Sequence, residues 1–389
     1  MSPSELLLES TQFSRIGMAD SSETKDNNFD SFVVGTEPAR SLSPFPRDYP
    51  LADDPARNSK RSLAARVMDL SGCGELLRRM KSWRGLLILN YHRIGYPAWS
   101  DLDRNLWSAT PENFTGQLAS LKQHFDVISL KDIDTALTDR RGRFVMITFD
   151  DGYRDNFTRA YKALRYYNLP ATFFLTTGFL DQQLVPWWDE IAWMVRNSSV
   201  EQLPASPWLP RPVATDRGHW NEAIGYLLKV YKTLDGKDTA PYLAHLSESL
   251  RVGRCPPEVG RELWMTWDMV RDMQAHGMSF GGHTVTHPIL ARLTPEEQDF
   301  EIGESRRRLV TELGEPIDAF SYPVGGPTSY NEATQLAVER HGYRWAFTYL
   351  GGYLKPGQFD RYALRRTAIE TDVDVPLFRA ITTLPQFFA

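Results

Sequence analysis

Short, continuously apolar runs, each ended by a polar or backbone-turning residue, constrain this chain more than any other feature of its sequence. Residues 86–91 (LLILNY) end at His92-Arg93, and residues 144–149 (FVMITF) end at Asp150-Asp151-Gly152. Residues 172–175 (TFFL) form a third run, residues 279–280 lead into Gly281-Gly282-His283, and residues 319–322 end at Pro323. Runs of this length without alternation are strands covered on both faces, which is the pattern of a parallel sheet. Between them, helical periodicity covers residues 111–124, 156–167, 267–276 and 295–313. Thr266 caps the third of these helices, and Thr294 with Glu297 forms a capping box on the fourth. Strands that alternate with helices predict parallel βα units, closed as a barrel or wound as an open sheet. Residues 185–260, rich in Trp and Pro and then helical, interrupt the alternation and are expected to be an insertion.

The chain has 389 residues, long enough for more than one domain at roughly 150 residues each. Residues 1–58 mix Ser, Asp, Glu, Asn and Pro without periodicity, which predicts a disordered leader. The first residues lack the basic and apolar regions of a secretory signal, and the apolar stretch 170–180 is too short and too polar to span a bilayer. These features predict a cytoplasmic protein, peripheral at the membrane at most. Between positions 57 and 84 the basic residues Arg57, Lys60, Arg61, Arg66, Arg78, Arg79, Lys81 and Arg84 face only Asp69 and Glu75. Leu63, Val67 and Leu70, then Leu76, Leu77, Met80 and Trp83, give residues 59–84 the pattern of two short amphipathic helices. Such a pair either rests weakly on an anionic membrane or packs on the flank of the folded domain with its basic face solvated. Elsewhere the balance is acidic, a net charge of −5 overall, so nucleic acid is not an expected partner. Two cysteines give neither a disulfide framework nor a cysteine-rich metal site.

In a barrel of parallel strands the active site forms where strand C-terminal ends converge. The polar residues at those ends are His92, Asp150, Asp151, His283 and His287, with the backbone around Pro323. Asp-Asp-Gly is also an ordinary turn, and a His-x3-His spacing also arises without a metal. Together, two imidazoles and a carboxylate supply the three protein ligands of a catalytic zinc site, and a second carboxylate beside them is a natural general base.

Residues 146–152 (MITFDDG), 283–287 (HTVTH) and 320–325 (FSYPVG) resemble the three signature motifs of the polysaccharide deacetylases, the NodB-homology carbohydrate esterases. The resemblance covers about residues 86–370 and is most similar to the exopolysaccharide branch, whose first strand ends in Tyr-His, here Tyr91-His92. It implies a distorted (β/α) barrel with a helical insertion, occupying residues 85–389, that removes acetyl groups from an N-acetylated glycan or glycolipid. It further implies that Asp151, His283 and His287 hold a divalent metal ion, usually zinc, and that Asp150 is the general base. The third motif, with Tyr322 and Pro323, lines the substrate, and the Val324 N–H meets the oxyanion. The poly-N-acetylglucosamine deacetylases of this branch imply His92 as general acid.

Two departures bear on that assignment. The wider family has an Arg two residues before the Pro of its third motif, where this chain has Ser321; Arg366, in Leu364-Arg365-Arg366, is the expected substitute that orients Asp150. The Leu-x-His that supplies the acid elsewhere is absent after His341, which makes His92 necessary. Trp187, Trp188 and Trp193 suggest a sugar-stacking platform or core packing, and Asp189 suits the first turn of a helix begun by Pro186. His124, His219, His245, His276 and His341 have no ligand spacing. Hydrolysis of another C–N amide, or a catalytically silent glycan-binding module, are the competing functions.

Overall fold

The computed structural model describes residues 55–72, 74, 76–77 and 82–389. Most of the predicted leader lies outside these residues, as do residues 75 and 78–81 of the second predicted amphipathic helix. The first described element, α1 (Pro55–Leu70), begins inside the segment expected to be leader.

Eight parallel strands form one sheet. They are β1 (Gly85–Tyr91), β2 (Asp126–Ile128), β3 (Arg143–Phe149), β4 (Thr172–Leu175), β5 (Ser279–Gly282), β6 (Ala319–Ser321), β7 (Trp345–Phe347) and β8 (Thr367–Ala368). Their spatial order is β7-β6-β5-β4-β3-β1-β8, with β2 beside the first half of β3. The sheet curls until the chain just before β8 reaches its far edge. Leu364 bridges to Phe347 and accepts a 2.9 Å hydrogen bond from the Thr348 N–H, while Thr367 and Ala368 pair with Leu89 and Asn90 of β1. Residues 364–368 thereby close the distorted barrel that the sequence implies.

Side-chain alternation along these strands builds two cores. Leu86, Ile88, Met146, Phe174, Ala319, Phe347 and Leu364 fill the barrel interior. The opposite parity, Leu87, Leu89, Tyr91, Val145, Ile147, Phe149, Phe173 and Phe320, packs against the surrounding helices. Gly281 belongs to this fit, because a Cβ there would lie 2.6 Å from the Phe174 ring and the Ala319 carbonyl. Continued to the C-terminal rim, the interior parity reaches Asn90, Asp150, Ser321 and Arg366.

The outer helices include α2 (Pro111–His124), α3 (Lys162–Tyr167), α4 (Trp187–Asn197), α5 (Trp220–Tyr231), α6 (Gly236–Ser249), α7 (Trp267–Ala275), α8 (Pro295–Leu313), α9 (Glu332–Arg340) and α10 (Val375–Thr383). The capping box predicted for α8 is present, its Thr294 side chain accepting from the Glu297 N–H. The helix predicted over residues 156–167 opens with a π-helical stretch, Asn156–Tyr161, before α3. Residues 185–260 carry α4, α5, α6 and a two-stranded antiparallel ribbon, Gln202–Leu203 with Val213–Ala214. They have a core of their own, in which Ile191, Leu203, Ile224, Leu227, Tyr242 and Leu246 meet Tyr153, Phe179 and Trp264 from the barrel.

Helix α1 packs on the domain flank, but not through the stripe of Leu63, Val67 and Leu70. Ala65 is buried and Met68 rests on the main core, whereas Leu63, Val67 and Leu70 are exposed. Polar contacts secure it: Arg66 to Asp374 at 3.1 Å, Arg379 to Asp69 at 3.1 Å, and Arg61 to the Phe388 carbonyl.

Candidate active site

The rim of the barrel collects the strand-end residues in a buried cluster. Asp151 Oδ1 lies 3.4 Å from His283 Nε2 and 3.5 Å from His287 Nε2. One potential ligand atom from each of these three residues falls within 4.8 Å of the others. The His283 Nδ1 meets the Ser321 carbonyl at 2.7 Å; a carbonyl only accepts, so Nδ1 carries a hydrogen and Nε2 is the nitrogen turned to the shared point. Asp151 Oδ1 is buried with no hydrogen-bond partner. An orphaned carboxylate oxygen facing two imidazole nitrogens is the donor set of a divalent metal, and these residues fit one.

The backbone is strained where it presents these groups. Asp151, Thr284, His287 and Val324 have φ of 76°, 65°, 57° and 63°, the left-handed region that non-glycine residues avoid. Glu301 on α8 holds the loop between the histidines in this shape. Its carboxylate accepts from the Val285 N–H at 2.7 Å, the Thr286 N–H at 2.9 Å and the Thr286 hydroxyl at 2.5 Å. The Thr284 hydroxyl accepts from the His287 N–H at 3.0 Å.

Asp150 lies beside the triad, its Oδ2 4.0 Å from His283 Nε2. Arg366 grips it with two parallel bonds, Nη1 to Oδ1 and Nη2 to Oδ2, both 2.7 Å. Ser321 Oγ donates to Oδ2 at 3.2 Å and accepts from Arg366 Nη2 at 2.8 Å. Burial disfavours the Asp150 charge, but Arg366 and His283 more than offset it and hold the carboxyl well below its usual range. Burial also opposes a charge on His283, which Asp150 and Asp151 outweigh, so its pKa is raised; His287 is pushed down to about 3 by burial and by His283.

His92 is half-buried beyond the end of β1, its ring 5.8 Å from that of Tyr349. Burial lowers its pKa, against the opposing pull of Asp151 and Asp150. Among the described residues, the Val324 N–H donates to no acceptor. Tyr322 corrects an expectation. Its side chain is buried in the outer core, stacked on Tyr330 with centroids 4.2 Å apart and donating to the Tyr362 carbonyl at 2.9 Å. It has the outward parity of Phe320, so it supports the rim from behind. Pro323 is buried at the turn between Tyr322 and Val324.

A profile of the polysaccharide deacetylase domain matches residues 138–201 and 220–346 of this chain. The chain belongs to the polysaccharide deacetylase family. Over 148 residues it is 28% identical to the Bacillus subtilis protein "Putative polysaccharide deacetylase YxkH", an alignment covering 37% of this chain and 50% of that relative's length. Among solved structures it is similar to the Streptococcus pyogenes deacetylase PplD in complex with acetate, at 21% identity and a TM-score of 0.49, covering 78% of this chain and 98% of that one. It is also similar to IcaB from Ammonifex degensii, at 18% identity and a TM-score of 0.47, covering 76% and 97%.

In this chain the tryptophans are not an open platform. Trp187 is buried, stacked on Tyr231 at 4.1 Å and donating to the His287 carbonyl, and the Trp188 ring meets the His287 ring edge-on at 4.5 Å. Trp193 is half-buried against the core of the insertion. Asp189 does more than favour a helix start: it accepts from the Asp103 N–H and from the Tyr153 hydroxyl, both at 2.9 Å, and the hydroxyl accepts from Trp188 Nε1 at 2.8 Å. Burial raises the Asp189 pKa to about 7. Sequence reasoning missed Glu301 and Asn90. Asn90 shares the interior parity of Ile88, and its Oδ1 accepts from Arg366 at 2.8 Å; that parity is the signal that finds it. Glu301 offers no such signal, being one of several acidic residues on α8.

Proposed function

We propose that this chain is a metal-dependent hydrolase that removes N-acetyl groups from an N-acetylhexosamine glycan or glycolipid of the exopolysaccharide type, releasing acetate. The observation that carries this reading is the convergence of Asp151, His283 and His287 on one point beside a carboxylate clamped by an arginine. Asp151, His283 and His287 hold the ion, and two imidazoles with one carboxylate favour zinc. When bound, a divalent cation supplies Lewis acidity toward an amide carbonyl and toward water. Asp150, kept ionised and aimed by Arg366, takes the proton of the attacking water. The uncommitted Val324 N–H donates to the oxygen on which charge develops. His92, beyond the end of β1, gives a proton to the departing amine. With only two cysteines the chain suits a reducing compartment, the cytoplasm.

Metal content and acetate release from N-acetylglucosamine oligomers test this reading together. About one divalent ion per chain is expected, lost with activity in His283→Ala. A His283→Ala/His287→Ala protein that still held stoichiometric zinc would end the assignment, and turnover of a small cyclic or linear amide with no acetate released from the oligomer would move it to another C–N amide. His92→Ala is expected to keep its metal and to lose more rate on the N-acetyl sugar than on an activated acetyl ester. Equal losses on both would remove the acid role from His92.

A further inference from the structure

We propose that α1 docks the protein onto an anionic membrane surface, with Leu63, Val67 and Leu70 entering the boundary between headgroups and acyl chains. At 3.6 residues per turn these three fall on one stripe of α1, with Lys60 in the same row. Their exposures are 64%, 59% and 89%. The helix is held by its other side, through Ala65, Met68, the Arg66–Asp374 and Arg379–Asp69 pairs and the Arg61 contact with the Phe388 carbonyl. The packing that fixes the helix therefore leaves the stripe largely open to solvent. Gathered exposed apolar side chains mark a surface that meets a partner, whereas scattered ones do not.

Charge selects the partner. Between positions 57 and 84 the sequence carries eight basic residues against two acidic ones, in a chain whose net charge is −5. A basic segment with an unburied apolar stripe suits an anionic lipid surface, where bilayer insertion and attraction to headgroups act together. A helix of 16 residues lying in the interface needs no membrane span, and among the described residues no helix is long and apolar enough to cross a bilayer. This inference stands apart from the catalytic reading, since none of its residues touches the rim of the barrel.

The test is co-sedimentation of the full chain with vesicles of phosphatidylcholine alone or with phosphatidylglycerol added. Binding to the phosphatidylglycerol vesicles, weakened by salt, is expected. The Leu63→Gln/Val67→Gln/Leu70→Gln protein is expected to bind at least about tenfold more weakly, with melting temperature and metal content unchanged because those side chains face solvent. A full chain that stays in the supernatant at low salt, or a triple variant that binds as tightly as the parent, overturns the proposal. Binding that appears only after removal of residues 1–54 means that those residues cover the stripe, and a triple variant that turns a dimer into a monomer means that a second copy does. Either result overturns it as well.

Discussion

Burying the Asp150 carboxylate alone would cost several kcal/mol, and the paired bonds from Arg366, with those from Ser321, are what make it tolerable. The clamp also fixes the direction of the oxygens, which a lysine, as a point charge, would not do. Arg366→Lys is therefore expected to fold and keep its metal while kcat falls about 10²-fold with little change in KM, the effect of a misaimed group. An unchanged kcat would show that Arg366 only balances charge. Asp189 is the opposite case, since burial raises its pKa to about 7 in the folded protein. Its unfolded value is near 3.9, so between about pH 4 and 7 the folded state holds a proton that the unfolded chain has released. This group's contribution to stability is full below that window and is lost as pH rises through it. Asp189→Asn removes the titration, so the melting temperature of the parent relative to the variant should fall between pH 4.5 and 7.5 by several degrees, an effect of a few kcal/mol at most (about pH 4–7). Parallel melting profiles would mean that Asp189 is ionised in the folded state across that range.

At the scale of elements, the site depends on how α8 braces the loop that follows β5. Thr284 and His287 sit at positive φ, and each such residue costs on the order of 1–3 kcal/mol unless its surroundings hold it there. Glu301 supplies the hold with three hydrogen bonds to Val285 and Thr286, although it touches neither histidine. Removing it should show first in metal affinity, because the cost of arranging the ligands is then met at binding. Glu301→Gln, which keeps acceptors but loses the charge, is expected to weaken zinc binding about tenfold, and Glu301→Ala about a hundredfold. Competition with a chelator measures this, and saturating zinc should restore turnover in the Gln variant. Parent-like affinity in Glu301→Ala would show that the loop keeps its shape unaided. Glu301 also marks where the sequence stops being informative. His283 and His287 declare themselves by spacing within one loop, whereas a residue that accepts from backbone amides of a separate segment leaves no pattern in its own helix. Arg366 was reached through resemblance, since its partner Asp150 lies 216 positions away. Strands β2, β7 and β8 were not visible, because two or three residues cannot show a period. Tyr322 was misplaced for want of parity: motif position named it a lining residue, and alternation with Phe320 turns it outward.

For the whole molecule, the last part of the chain completes what the long central runs begin. Strands β1, β3 and β4 were legible because each is continuously apolar, and they form the middle of the sheet. Closure falls to residues 364–368, which join β7 to β1 and bring Arg366 to the site. The match to the family profile ends at position 346, before this segment, so the recognisable domain is not the complete folding unit. Beyond position 363, Ile369, Leu377, Phe378 and Ile381 are also buried in the main core. At roughly 1.5–3 kcal/mol for each large side chain, those four together contribute about as much as the whole net stability of an ordinary domain, roughly 5–15 kcal/mol. A chain ended at residue 363 should therefore fail to fold cooperatively, giving no sharp thermal transition and no stoichiometric metal. The full-length Arg366→Lys chain separates closure from catalysis, because it should melt cooperatively while turning over slowly. Should the truncated chain melt as sharply as the parent and bind one zinc, the barrel would be stable without its closing segment, and residues 364–389 would serve the site alone.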